Sequence, residues 1–78
     1  MSYKIEIWLS DNAKIELGNG DQIGGLEINK LTEIDLLRSL IARQLNESEF
    51  IEITRSDPTL PNVIVNTNHI FRIYLSYL

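Results

Sequence analysis

His69 is the only histidine in this 78-residue sequence, and there is no cysteine. Those two counts decide much of the possible chemistry. A lone imidazole cannot share a metal with a second one, and any serine–histidine–carboxylate unit would have to be built around His69. It follows Asn66, Thr67 and Asn68 and precedes Ile70, a setting for a turn cap or a strand entrance rather than for an oriented general base. Without cysteine there are no disulfides, thiolate zinc sites or thiol nucleophiles. Paired carboxylates can run glycoside chemistry when held across a cleft. Here Glu47, Glu49 and Glu52 cluster, and Asp11, Asp21 and Asp57 sit in turn-forming stretches. Nothing in their surroundings predicts burial or a raised pKa, so they are expected to be solvated surface acids. The Asp and Asn residues never reach the twelve-residue calcium-loop spacing. The sequence therefore predicts no catalytic residue, no metal, no cofactor and no enzyme.

All four glycines, Gly18, Gly20, Gly24 and Gly25, fall in one segment. Amides freed by glycine can cradle a phosphate. No Lys-Ser or Lys-Thr follows, however, Ile23 stands where a dinucleotide fingerprint needs its third glycine, and Asp21 adds negative charge. The segment is expected to be a structural connection. An alternative reading keeps Gly18 and Gly20, with Lys30, Arg55 or Arg72, as a site for a small anionic, nucleotide-like ligand held between subunits.

These residues need elements to position them. Tyr3, Ile5, Ile7 and Leu9 alternate with Lys4, Glu6 and Trp8, and Ala13, Ile15 and Leu17 alternate with Lys14 and Glu16. Period-two alternation across the turn Ser10-Asp11-Asn12 predicts an antiparallel hairpin. Leu26 and Ile28 alternate with Glu27 and Asn29, which permits a short extra strand, or Gly18–Asp21 extends the second. A helix is predicted over 32–46, with Thr32 as N-cap, Asp35 in the reciprocal capping position and Leu31 stapled against Leu36. Ile34, Leu37, Ile41 and Leu45 form its stripe, widened by Leu36 and Leu40. Glu33 and Asp35 in the first turn and Arg43 in the last would complement the helix dipole. Residues 50–55 read as a strand, 56–62 as a loop holding Pro58 and Pro61, 63–65 as a short strand, 66–69 as a turn and 70–78 as a long final strand. The prediction is one α+β domain over 1–78, a small antiparallel sheet with one helix packed on it in the order ββαβββ.

With 44% hydrophobic and 23% charged residues, the chain has enough apolar material to fold and too little in one run to span a membrane. The N-terminus carries charges inside its first apolar stretch, unlike a signal peptide, so the expected location is the cytoplasm, of a cell or an infected host. Net charge is −4 and the seven basic residues are scattered singly, which disfavours nucleic acid as a partner.

Large apolar side chains fall on both sides of the predicted sheet. Trp8 opposes Ile5, Ile7 and Leu9, and strict alternation sets Ile70, Tyr74 and Leu78 against Phe71, Ile73, Leu75 and Tyr77. One set belongs to a core; the other lies under the 18–30 loop or forms a protein-binding patch of Trp8, Ile70, Tyr74 and Leu78, since Trp and Tyr carry much of the binding energy at interfaces. The thin core of so short a chain also favours a homodimer through the sheet face or edge bearing Trp8, Tyr74 and Leu78. The segment Ile51–Arg55, followed by Val63–Asn66 and Ile70, resembles a pattern common in small bacterial and phage β-rich proteins. In size, acidity and lack of cysteine the chain is similar to small accessory or inhibitor proteins of bacteriophages. The expectation is a non-catalytic protein-binding module, an inhibitor or adaptor acting by covering a partner surface.

Overall fold

The N-terminal alternation produces a tight hairpin whose turn is closed by local chemistry. The Leu9 amide donates to the Ala13 carbonyl at 2.9 Å, and the Asp11 carboxylate accepts from the Ala13 amide at 3.0 Å. Asn12 sits at φ 69° in the left-handed region, which asparagine tolerates better than most residues. The structure, a computed structural model, describes residues 3–29 and 32–77. Its elements in chain order are β1 (Tyr3–Leu9), β2 (Lys14–Leu17), β3 (Gln22–Ile23), β4 (Leu26–Glu27), α1 (Ile34–Glu47), β5 (Phe50–Thr54), β6 (Val63–Asn66), one 3-10 turn (Thr67–His69) and β7 (Ile70–Tyr77).

The α+β class is as expected, but the strands form two antiparallel sheets rather than one, ordered β2-β1-β7 and β4-β3-β5-β6. The glycine segment is the reason. Gly24 and Gly25, at φ 59° and 83°, turn the chain between β3 and β4, and this small hairpin adds to β5 through the pairs Gln22↔Thr54 and Ile23↔Ile53. Gly18–Asp21 therefore leaves the first sheet instead of extending β2. The 3-10 turn carries the chain back from β6 to β7.

Alternation sends one row from each sheet into a shared core. Ile5, Ile7 and Leu17 come from the first sheet, and Ile23, Ile51, Ile53 and Val65 from the second. Ile28 joins them from the segment before the helix, and Leu37 and Ile41 from the helix, with Ile34 and Leu45 partly buried at its ends. The helical stripe is thus as predicted. Leu36 is not part of it: at 55% exposure it faces outward.

The helix ends differ from the prediction. Thr32 is not the N-cap. Its amide is held by the Asn29 carbonyl at 2.9 Å in a preceding turn, and the first helical bond runs from the Leu37 amide to the Glu33 carbonyl at 3.0 Å. Glu33 therefore occupies the capping position, without a side-chain capping bond. Asp35 pairs with Arg38 at 2.7 Å rather than closing a capping box. The proposed Leu31 staple lies outside the described residues. At the other end the last turn holds no basic residue, because the helix continues to Glu47 and leaves Arg43 behind it. Thr32→Ala should accordingly change unfolding free energy by less than about 0.5 kcal/mol, as for an ordinary surface position. A loss of about 1 kcal/mol or more in urea unfolding would restore it as a cap.

Candidate functional site

The side of the β2-β1-β7 sheet away from the core carries a compact group of rings and cations. β1 contributes Trp8 there because its neighbours Ile7 and Leu9 point toward the core. Trp8 pairs with Lys14 of β2 on one side and Arg72 of β7 on the other. Lys14 Nζ lies 5.4 Å from the Trp8 ring centroid. The Arg72 guanidinium lies 4.5 Å from the Phe71 ring and 5.6 Å from that of Tyr74, and donates to the Tyr74 hydroxyl. Such cation–ring contacts hold the long Arg72 side chain flat while keeping its charge available.

Phe71 reaches this face through a β-bulge. Trp8 pairs with Arg72 but Leu9 pairs with Ile70, so Phe71 is an extra residue in β7. The insertion reverses the expected parity at the start of the strand. Ile70, expected beside Tyr74, instead packs toward the core with Ile73 and Leu75, and Phe71, expected to oppose Tyr74, joins it. The three-residue step from Ile70 to Ile73 is the signal in the sequence that one residue had to be inserted. Phe71 is 66% exposed and Tyr74 46%, so no loop roofs them. A cleft of about 290 Å³ lies between Trp8, Leu9, Asn12, Phe71, Arg72 and Tyr74. The Trp8 indole N–H is enclosed, with no acceptor among the described residues. Leu78 lies outside the described residues.

A lattice of charges borders this group. Lys14 contacts Glu16 at 2.9 Å and Glu6 at 3.5 Å, and Lys4 contacts Glu16 at 3.5 Å and Glu6 at 3.8 Å. The hydrogen bond to Glu16, then its charge, raises the Lys14 pKa, and the same bond and the Lys14 charge lower that of Glu16. Both groups stay ionised at neutral pH, and screening by water keeps such exposed pairs weak. Their role is to hold Lys14 beside Trp8.

The glycine segment is organised around Asp21. One carboxylate oxygen accepts from the Gly18 amide at 2.9 Å, and the other accepts from the Ser56 amide at 2.8 Å and the Ser56 hydroxyl at 3.2 Å. The Gly18 amide is thus engaged by the chain's own carboxylate, and the Gly20 amide donates to the Ile28 carbonyl at 2.8 Å. Gly20, at φ 93°, passes Ser56 so closely that a Cβ would lie 3.2 Å from the serine Cβ. Arg55 sits near Asp21 and Asp57, whose pKa values its charge helps to lower. Arg72 is on the other sheet, across β1 from β2. Within one copy β1 therefore separates Arg72 from the strand that leads into Gly18, and Lys30 lies outside the described residues.

His69 ends the 3-10 turn at the entrance to β7. Its Nδ1 is 3.4 Å from Ser10 Oγ on an exposed rim, above a groove of about 510 Å³ that Ile15, Val63 and Val65 help to line. The nearby Asp11 carboxylate accepts from the Ala13 amide, and the one side-chain partner of the imidazole among the described residues is Ser10. Among the described residues no group of three or more His, Asp or Glu side chains could hold a metal, and no helix is long and apolar enough to cross a membrane. No family model, no curated protein and no solved structure matches the chain.

Proposed function

We propose that the protein is a non-catalytic protein-binding module, an inhibitor or adaptor of the cytoplasm that works by laying the outer face of the β2-β1-β7 sheet over a partner. One observation carries this reading: Phe71 and Tyr74 are exposed on either side of a guanidinium that they hold in place. Aromatic rings and arginine are the side chains most enriched among residues that dominate binding energy. Ring contacts fix Arg72 before binding, so little side-chain entropy remains to be lost. The chemistry of the face selects its partner. A carboxylate set in an apolar surface would meet Arg72 while its surroundings cover Phe71, Tyr74 and Trp8.

The test compares affinities. The immobilised chain should retain a protein from an extract of its source cell. Arg72→Ala and Phe71→Ala should each weaken the purified complex about thirtyfold or more, the loss typical of a dominant interface residue. Ile64→Ser, an exposed apolar position on the other sheet, should leave affinity unchanged. Equal affinity for wild type, Arg72→Ala and Phe71→Ala would remove the proposal.

A further inference from the structure

We infer that two copies of this chain join edge to edge through β7, with Tyr74 on the twofold axis. The direction of the peptide groups supports this. The Leu9 amide bonds the Ala13 carbonyl, and the register continues through Ile7↔Ile15 and Ile5↔Leu17. Because hydrogen-bonded and non-bonded pairs alternate, odd-numbered residues of β1 bond toward β2 and even-numbered ones toward β7. The even-numbered residues Trp8, Glu6 and Lys4 face Arg72, Tyr74 and Ser76. The peptide groups of Ile73 and Leu75 therefore point away from β1, along an edge that no described strand covers.

Monomeric proteins blunt such edges with short strands, lysine, proline or inward charges. The other edges here follow that rule. β2 is four residues long with Lys14 and Glu16, β4 has two residues, and β6 has four and follows Pro61 closely. β7 has eight residues, no proline and one charge, Arg72, which is folded onto its neighbouring rings.

The strand's self-complementary sequence favours a second copy as the occupant. Antiparallel pairing that uses the free groups must set odd residues against odd. With Tyr74 facing its symmetry mate, Ile73 meets Leu75 of the second copy twice over, Arg72 meets Ser76, and no like charges oppose. A register centred on Arg72 would set two guanidinium groups against each other, and one centred on Ile73 or Leu75, though it also sets odd against odd, would form neither Ile73–Leu75 pair. Along the β7 edge, a cleft of about 420 Å³ is lined by Ile34, Ile73, Tyr74, Leu75 and Tyr77, with Asp35 and Arg38 completing its wall. Ile73 and Leu75 of the second copy would continue the apolar row beside it, and the Asp35–Arg38 pair supplies a polar rim. The two three-stranded sheets become one of six strands. Both outer faces then lie on the same side, with two ring-and-cation groups adjacent across the axis. This pairing is independent of whether the outer face binds a partner.

The absence of cysteine makes the register directly testable. A non-bonded antiparallel pair sets its Cα atoms about 4.5 Å apart, inside the roughly 4.4–6.8 Å that a disulfide needs. Tyr74→Cys should therefore convert almost completely to a covalent dimer under mild oxidation. Ser76→Cys, roughly 13 Å from its mate at the strand rise per residue, should not, yet it should cross-link to Arg72→Cys when the two are mixed. Unmodified protein at micromolar concentration should scatter light as twice its 9.0 kDa. A 9.0 kDa mass at every concentration, or self-linking of Ser76→Cys without either expected cross-link, would overturn the edge pairing. These readouts report mass and register alone, so loss of partner affinity in Arg72→Ala leaves them unaffected.

Discussion

Replacing Leu37 by alanine should lower the unfolding free energy by about 2–5 kcal/mol, the combined cost of lost burial and the cavity left behind. Leu37 is fully buried in the core cluster that it shares with the inner rows of both sheets and with Ile41. Collapse cannot fill the space cheaply, because the surrounding Ile5, Ile7, Ile23 and Ile53 are β-branched side chains on paired strands with few alternative rotamers. A domain of 78 residues buries a smaller share of its surface than larger ones, and typical stabilities are only about 5–15 kcal/mol. The variant is thus expected to be partly unfolded at 37 °C. Leu36→Ala, one position along and exposed, should cost under about 0.5 kcal/mol. Urea midpoints separate the two. Equal midpoints for Leu37→Ala and Leu36→Ala would mean that the helix presents another face to the core.

The contrast between these neighbours shows what the sequence made legible. β-branched and aromatic content located β5, β6 and β7, and periodicity located β1, β2 and the helical stripe, because each of these buries one regular row of side chains. It overstated Leu36, since apolar residues at helical spacing outnumber the places that a thin core offers. Thr32 was a sound capping residue by type, but the Asn29–Thr32 turn took up its amide and shifted the helix start. The second sheet was hidden because β3 and β4 are two residues each, too short to show a period. Trp8 and Tyr74 were legible as candidates on the outer face because they place large rings where alternation calls for polar residues. Phe71 was not, because strict alternation assigned it to the core face and a single bulge residue reversed that. Arg72 was read only as a scattered charge; its significance comes from rings that the bulge places around it.

Asp21→Asn should destabilise the protein by about 1.5–3 kcal/mol at neutral pH, the range for hydrogen bonds to a charged group, and the loss should shrink in acid. Asp21 is 7% exposed, and its carboxylate ties the Gly18 amide to the amide and hydroxyl of Ser56, 35 residues beyond Asp21 in the chain. It thereby fixes the crossing from the first sheet to the second. Burial acts to raise its pKa, but the Ser56 and Gly18 amides, the Ser56 hydroxyl and the Arg55 charge together outweigh that, and the net shift is downward. A carboxyl whose folded pKa lies below its unfolded value of about 3.9 contributes its stabilisation fully above that pH. The contribution is lost as pH falls through the folded value, when the wild-type group is protonated too. Asparagine keeps one acceptor but turns an N–H2 donor toward donors, and it does not titrate. The gap between wild type and variant in urea unfolding should therefore be widest near pH 7 and narrow steadily below about pH 4. Ser56→Ala, which removes only the 3.2 Å hydroxyl bond, should give a smaller loss with the same acid trend. A gap that stays constant from pH 7 to pH 3 would show that Asp21 acts through shape rather than charge, and would leave the glycine crossing without the ionic clip described for it.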